Sequence, residues 1–326
     1  MSIGGESLSG DLQSASIVQL KPEELPRIFP MLMEIFPVDR PIYSELIRNR
    51  QAPYRWTSYV LDWNGTWVGH SALVELRIWL EGESREVVGI ASVATLPEYR
   101  RRGVARRLLE HCLEIVDSRG RPAALFTRIP ELYEKFGFKN ILQTFLGVAV
   151  DELRIFRFSG RAELRAELAE SELQAMASLY VRHYPNYNGK LIRDTDYWKY
   201  YGMVVNLREN CWFLLRYRGG ELAAYVRVER EPDRLLVAEF CTGPLDQEMI
   251  GGMLADVAYY AGQWGYSWIT LAMCPGHFLW PILASKRVPM EVEPPGADRE
   301  CFMVRPTAGD SLGAFERLQW SLADKF

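Results

Sequence analysis

Between Ser58 and Thr95 the chain holds three apolar-rich, strand-like runs, Ser58 to Asp62, Thr66 to Trp79 and Val87 to Thr95, with apolar and polar residues alternating from Val74 to Ile78. A repeat of two is the signature of a half-buried strand. Asn64-Gly65 and Glu81-Gly82 separate the runs, and Asn-Gly between strand-like segments predicts a hairpin. The period then changes. Val104, Leu108, Leu109, Cys112, Leu113 and Val116 recur at helical spacing, which predicts an amphipathic helix ending at Arg119-Gly120. Ala123 to Thr127 predicts a strand, Pro130 to Phe136 a short helix stopped at Gly137, and Phe138 to Val150 two more short strands. Upstream, Ile17 to Leu20 predicts a strand and Glu23 to Phe36 a helix stopped by Pro37. A Pro/Arg/Asn-rich connection then runs to Pro53.

The same order returns after residue 160. A helix is expected over Glu167 to Tyr184, then a polar loop leading to Tyr197-Trp198-Lys199-Tyr200-Tyr201. Strands are expected at Cys211 to Tyr217, Leu222 to Arg230 and Leu235 to Cys241, a helix at Gln247 to Gln263 and a strand at Trp268 to Ala272. His277 to Ser285 predicts a short helix, and Met303-Val304 a closing strand. Hairpin strands followed by strand–helix–strand imply an α/β fold with mixed sheets. The recurrence implies an internal duplication with its seam at Glu152 to Gly160. The expected units are a flexible tail (1–15), a first domain (16–150), a second domain (160–306) and a C-terminal helix or tail (307–326).

Composition narrows the function. The 326 residues hold 38 Lys+Arg against 42 Asp+Glu, a formal net charge of -4. A nucleic-acid-coating protein would be basic, so no nucleic-acid partner is expected. Five scattered cysteines without CxxC or Cys/His ligand spacing suggest reduced thiols, a cytoplasmic setting and no metal. The polar N-terminus lacks the pattern of a signal peptide. No run approaches the ~18 apolar residues of a membrane span, so no membrane partner is expected.

One local feature departs from this acidic background. Glu98 to Arg107 reads EYRRRGVARR, between an expected strand and an expected helix. Backbone N–H groups at a helix N-terminus bind anions. Gly103 lets a ligand approach the main chain, and neighbouring arginines add charge-assisted contacts to phosphate. Arg100-x-x-Gly103-x-Ala105 in this setting resembles the acetyl-CoA pyrophosphate loop of the GNAT superfamily of N-acetyltransferases. Val93-Ala94-Thr95-Leu96-Pro97 resembles the family's strand end, which pairs with the pantetheine arm. Leu132-Tyr133-Glu134-Lys135-Phe136-Gly137-Phe138 resembles its Y-x-x-x-G-F element, whose tyrosine sits near the thioester sulfur. The second half, including Arg193-Asp194-x-Asp196-Tyr197-Trp198, more loosely resembles the tandem GNAT arrangement of Eis-type acetyltransferases, without their third domain.

The resemblance implies two tandem GNAT-like domains, each a mixed, mostly antiparallel sheet flanked by helices. It implies that Val93, Ala94, Thr95, Arg100, Arg101, Arg102, Gly103, Val104, Ala105 and Arg106 bind acetyl-CoA, and that Tyr133 is catalytic. The reaction expected is acetyl transfer to a primary amine, such as a polyamine, an aminoglycoside-like compound or a lysine side chain. A non-catalytic acyl-CoA-binding regulatory module is the alternative, and a homo-oligomer is allowed. For the general base, Glu75, Glu86, His111 and the terminal carboxylate of Phe326 stay open. His70 and His111 are expected to be structural, and Arg193 to Trp198 to be a capped helix start in an aromatic core. Thr242-Gly243-Pro244-Leu245-Asp246-Gln247 stands where the second repeat would hold its own loop. With no arginine and an acid in place of phosphate, that repeat is not expected to bind CoA.

Overall fold

The computed structural model describes residues 14–141, 144–157, 160–184, 187–243, 246–273, 277–293, 300–307, 310 and 315. Residues 1–13 of the expected N-terminal tail, most of the C-terminal helix or tail and the Phe326 carboxylate therefore lie outside the described residues, while Ala15, expected in the tail, is buried and accepts a hydrogen bond from Arg107 at 2.6 Å.

The first half begins with β1 (Ser16–Gln19), α1 (Phe29–Ile35) and α2 (Arg40–Asn49). The long strands β2 (Trp56–Trp63), β3 (Thr66–Leu80) and β4 (Glu83–Thr95) follow. Then come α3 (Val104–Ser118), β5 (Ala123–Thr127), α4 (Pro130–Glu134) and β6 (Lys139–Ile141). The expected helix over Glu23 to Phe36 is broken. Pro22–Arg27 is a 3-10 segment with Pro26 inside it, and α1 starts afresh with a proline in its first turn. A proline lacks the N–H that a continuous helix would need there. The stretch to Pro53, expected to be a connection, holds α2. Its Ile42, Tyr43 and Leu46 are buried at helical spacing behind a proline in the first turn.

After β7 (Thr144–Ala149), α5 (Val150–Leu153) and β8 (Glu163–Arg165) the second half repeats the plan. It contains α6 (Glu170–His183), α7 (Thr195–Asn206), β9 (Cys211–Arg218), β10 (Glu221–Arg230) and β11 (Leu235–Thr242). It ends with α8 (Gln247–Gln263), β12 (Trp268–Met273), α9 (Leu279–Ser285), β13 (Glu291–Glu293) and β14 (Cys301–Arg305). The polar loop gives way at Arg193 to Trp198 to the capped helix start expected there. Asp194 caps α7, its carboxylate accepting the Tyr197 N–H at 2.9 Å.

Among the described residues the strands form two sheets, ordered β1-β2-β3-β4-β5-β14-β6 and β13-β7-β12-β11-β10-β9-β8. Each sheet is antiparallel except for one parallel step, β4–β5 or β11–β12. The halves trade a strand. β7, which follows directly on β6, pairs with β12 and β13 in the second sheet, and β14 enters the first sheet between β5 and β6. The boundary in sequence is thus not the boundary between sheets.

The strand periodicity sorts the faces into layers. Leu73, Val88 and Ile90 pack under Val104, Leu108, Leu109 and Cys112 of α3. On the opposite face, Ala72, Val74, Leu76 and Ile78 share one core with Tyr180 of α6, Trp198 and Tyr201 of α7, and Phe213 and Tyr225 of the second sheet. α6 and α7 are therefore sandwiched between the sheets, and α8 covers the far face of the second. No helix among the described residues is long and apolar enough to cross a membrane.

Candidate active site

β4 and β5 pair only at Val88↔Ala123 and Gly89↔Ala124. From Ile90 to Thr95, β4 runs on without β5 beside it, which opens a cleft in the middle of the sheet. Gly69 of β3 allows the next element to close in. A Cβ there would collide with the Val104 side chain and the Ala94 carbonyl, so the first turn of α3 rests directly on the strand. This seats the N-terminus of α3 at the end of β4.

The arginine stretch forms the turn between them. Arg101 and Gly103 both have positive φ, 63° and 82°, and Gly103 is the N-cap of α3. Gly103 meets this conformation without the Cβ penalty. No side chain caps α3 and its first turn holds no acid. The exposed N–H groups and the positive end of a helix dipole therefore face outward together.

Arg100 leans back to the Thr95 carbonyl at 3.4 Å, Arg102 lies over the Tyr99 ring at 5.4 Å, and Arg106 pairs with Glu110 at 2.8 Å. Arg101 is exposed, and no carboxylate among the described residues pairs with it. Val104 is buried in the α3 core, Ala105 is half-buried, and Ala94 is buried against α1 and α2. Val93 and Thr95 are partly exposed along the cleft edge.

Tyr133 stands on α4, which follows the end of β5. It is buried edge-on against Phe138, with ring centroids 6.0 Å apart, and its hydroxyl contacts the side chain of Thr127 at the end of β5. Burial pushes the phenol up to about 12, while the Thr127 hydroxyl draws it the other way. It is therefore a neutral phenol, a proton donor rather than a base.

The base candidates are not gathered here. Glu75 pairs with Arg119 and, at 2.6 Å, with Arg121, which also holds Glu86 at 2.6 Å. These arginines follow the C-terminal end of the 15-residue α3, about 22 Å along the axis from Gly103. His111 lies mid-helix, edge-on to Tyr59 at 5.1 Å. Arg193 is a buried partner of Glu239 at 2.8 Å, ringed by Tyr180, Trp198 and Tyr201, so this motif builds the core between the sheets. Among the described residues no group of three or more His, Cys, Asp or Glu is placed to hold a metal.

Sequence reasoning missed Ser92. It has φ of 48° in a kink of β4, with His70 on its carbonyl and Tyr43 on its hydroxyl. The available signal was polar residues (Ser58, His70, Ser71) at buried positions of otherwise apolar strands.

The second half repeats the geometry but fills it. β11 and β12 also part, beyond Val237↔Leu271. There the rings of His183, Tyr184 and Phe278 pack together at 4.5 and 5.3 Å from His183, and the Tyr184 hydroxyl donates to the Phe240 carbonyl at 2.7 Å. Asp246 caps α8, accepting the N–H groups of Glu248 and Met249 at 3.0 and 3.1 Å, and binds Arg218 at 2.8 Å. Pro244 and Leu245 lie outside the described residues.

Residues 16–141 match the family model of an acetyltransferase (GNAT) domain. Among solved structures the chain is similar to a GCN5-related N-acetyltransferase from Anabaena variabilis, with TM-score 0.65 and 15% identity over 89% of this chain and 72% of that one. It is similar to Eis1 from Mycobacterium abscessus, with TM-score 0.58 and 15% identity over 89% and 73%. A tandem GNAT protein from the clavulanic acid biosynthesis pathway gives TM-score 0.50 and 15% identity over 91% of this chain and 100% of that one. No curated protein matches the chain in sequence.

Proposed function

We propose that the chain, whose residues 16–141 match an acetyltransferase (GNAT) domain, is an N-acetyltransferase that transfers the acetyl group of acetyl-CoA to a primary amine. The observation that carries this reading is the uncapped N-terminus of α3 beside the unpaired edge of β4. The N–H groups of Val104, Ala105 and Arg106, with the arginines from Arg100 to Arg106, suit a pyrophosphate. Val93, Ala94 and Thr95 lie along the edge that a pantetheine arm would follow.

Acetyl-CoA supplies an activated thioester. An amine nitrogen forms the new C–N bond, the C–S bond breaks, and the amine's proton is released as the sulfur gains one. Tyr133 is suited to donate to the departing sulfur. Its phenol, raised to about 12, is a weaker acid than an ordinary thiol near ~8.5. It therefore holds the thiolate by a hydrogen bond and hands over its proton only as the amine's proton replaces it. α7 borders α1 and α2 through Tyr200, Met203 and Val204, and Asp194 binds Arg55 at 2.7 Å and Tyr54 at 3.0 Å. The second half thereby props the wall expected to receive the amine, a polyamine, an aminoglycoside-like compound or a lysine side chain.

Calorimetric titration with acetyl-CoA, run beside thiol release over a panel of these amines, tests the proposal. Binding with turnover supports it. Tight binding without turnover on any amine would support the acyl-CoA-binding regulatory module instead.

A further inference from the structure

The kink of β4 is held from three sides. The β3–β4 register shifts between His70 and Ala72, so Ser92 and Val93 together oppose Ser71. Ser92 has φ of 48°, a left-handed conformation that costs a non-glycine residue about 1 kcal/mol or more. Something must hold it there. The Ser92 carbonyl lies 2.8 Å from His70 Nδ1, and its hydroxyl 3.1 Å from the Tyr43 phenol on α2. His70 Nε2 lies 3.1 Å from the Ser58 hydroxyl on β2.

The tautomer follows from the partners. Burial holds the His70 pKa down to about 4, so the ring is neutral and carries one proton. A carbonyl can only accept, which places that proton on Nδ1, and the Ser58 hydroxyl donates to Nε2. Both nitrogens are committed, so His70 is not a free base.

Direction gives the clamp its consequence. The Val88 N–H donates to the Pro122 carbonyl on the β5 side. Alternate residues of a strand face the same neighbour, so the N–H groups of Ile90 and Ser92 face the open cleft. In a regular strand the Ser92 carbonyl would face it too, and would repel negative charge developing on a thioester oxygen. The positive φ turns that carbonyl back to His70.

We propose that His70, backed by Ser58 and assisted by Tyr43, is a positioning residue that turns the Ser92 carbonyl out of the cleft, leaving backbone N–H groups to hold the thioester oxygen. This rests on the acetyl-transfer reading above. A well-aimed oxyanion donor is worth roughly 10²–10³ in kcat, so misaiming one should cost about 10- to 100-fold.

The test compares His70→Gln, whose amide reaches the Ser58 side, with His70→Asn, whose amide N–H falls where Nδ1 was. Turnover of acetyl-CoA and amide hydrogen exchange of the Ile90 to Thr95 segment are measured on each. His70→Gln should lower kcat by about 10- to 100-fold, with the acetyl-CoA KM changed less than about threefold, and speed exchange in the segment. His70→Asn should restore most of both. Wild-type kcat and exchange in His70→Gln, or equal losses in both variants, would overturn the clamp. If the wild-type chain acetylates no amine, the activity reading fails on its own and exchange decides the clamp. Faster exchange in His70→Gln that His70→Asn reverses upholds it; unchanged exchange overturns it. Should neither histidine variant fold, Tyr43→Phe decides: a several-fold fall in kcat or faster segment exchange supports the clamp, and no change in either overturns it.

Discussion

The helices α3 and α8 begin at equivalent places in the two halves, each after a strand that parts from its parallel neighbour, yet their first turns differ in kind. α3 starts at a glycine with positive φ and no capping side chain. α8 starts at Asp246, whose carboxylate satisfies two of its N–H groups and an arginine. One end is left with donors to offer and the other brings its own anion. The clefts differ in step, since aromatic rings occupy the second, where Tyr184 binds the Phe240 carbonyl. A repeated fold can therefore keep its architecture while a cap and a plug fill, in one half, the place that stays open in the other.

The comparison can be broken at several points. The strand exchange makes the halves interdependent, so a chain ending at residue 160 loses β14 from the first sheet and the α6–α7 core beneath it. It should show no cooperative thermal transition by calorimetry; a normal melt would mean that the first half stands alone. Tyr133→Phe should lower kcat by ~10²–10⁴-fold with acetyl-CoA affinity nearly unchanged. α9 of the second half, Leu279–Ser285, carries no tyrosine that could stand in.

Gly103→Asp would give α3 the cap of α8. Asp tolerates positive φ, so the fold should lose no more than about 1 kcal/mol while acetyl-CoA affinity falls at least ~10²-fold, because an internal carboxylate takes the N–H groups. Titration calorimetry reads both the affinity and any loss of stoichiometry.

Acid should destabilise both halves. Burial lowers His70 in the first and His183 in the second to about 4. Both favour the folded state fully above the ordinary histidine value near ~6.5, and that contribution is lost as pH falls from there toward about 4. Chemical denaturation across this window should show the decline, and His70→Asn should make it shallower. The smallest effect is expected for Asp246→Ala: a loss of about 1 kcal/mol in stability and no second equivalent of acetyl-CoA, since the rings remain in that cleft. Two bound equivalents would show that the cap alone silenced the second half.

The sequence made much of this legible. Periodicity located β2, β3 and α3 to within a few residues, because a strand or a helix buries one face at a fixed repeat. It missed α2, where a proline in the first turn and a polar composition resemble a loop until Ile42, Tyr43 and Leu46 are seen buried together. In the candidate site, the arginine loop and Tyr133 were legible as local strings. Ser92 was not, since a positive φ in a serine follows from what grips it and leaves no local mark.

By itself the sequence determined the elements, their repetition and the asymmetry between Gly103 and Asp246, because caps, turns and amphipathic faces are set by residues close in the chain. Tertiary structure alone decided that β7 and β14 change sheets, that α6 and α7 lie between the sheets, and that His70, Ser58 and Tyr43 meet near one kink. Those choices rest on contacts between residues far apart in sequence. Their free energy comes from burial shared by both halves, which no single segment specifies.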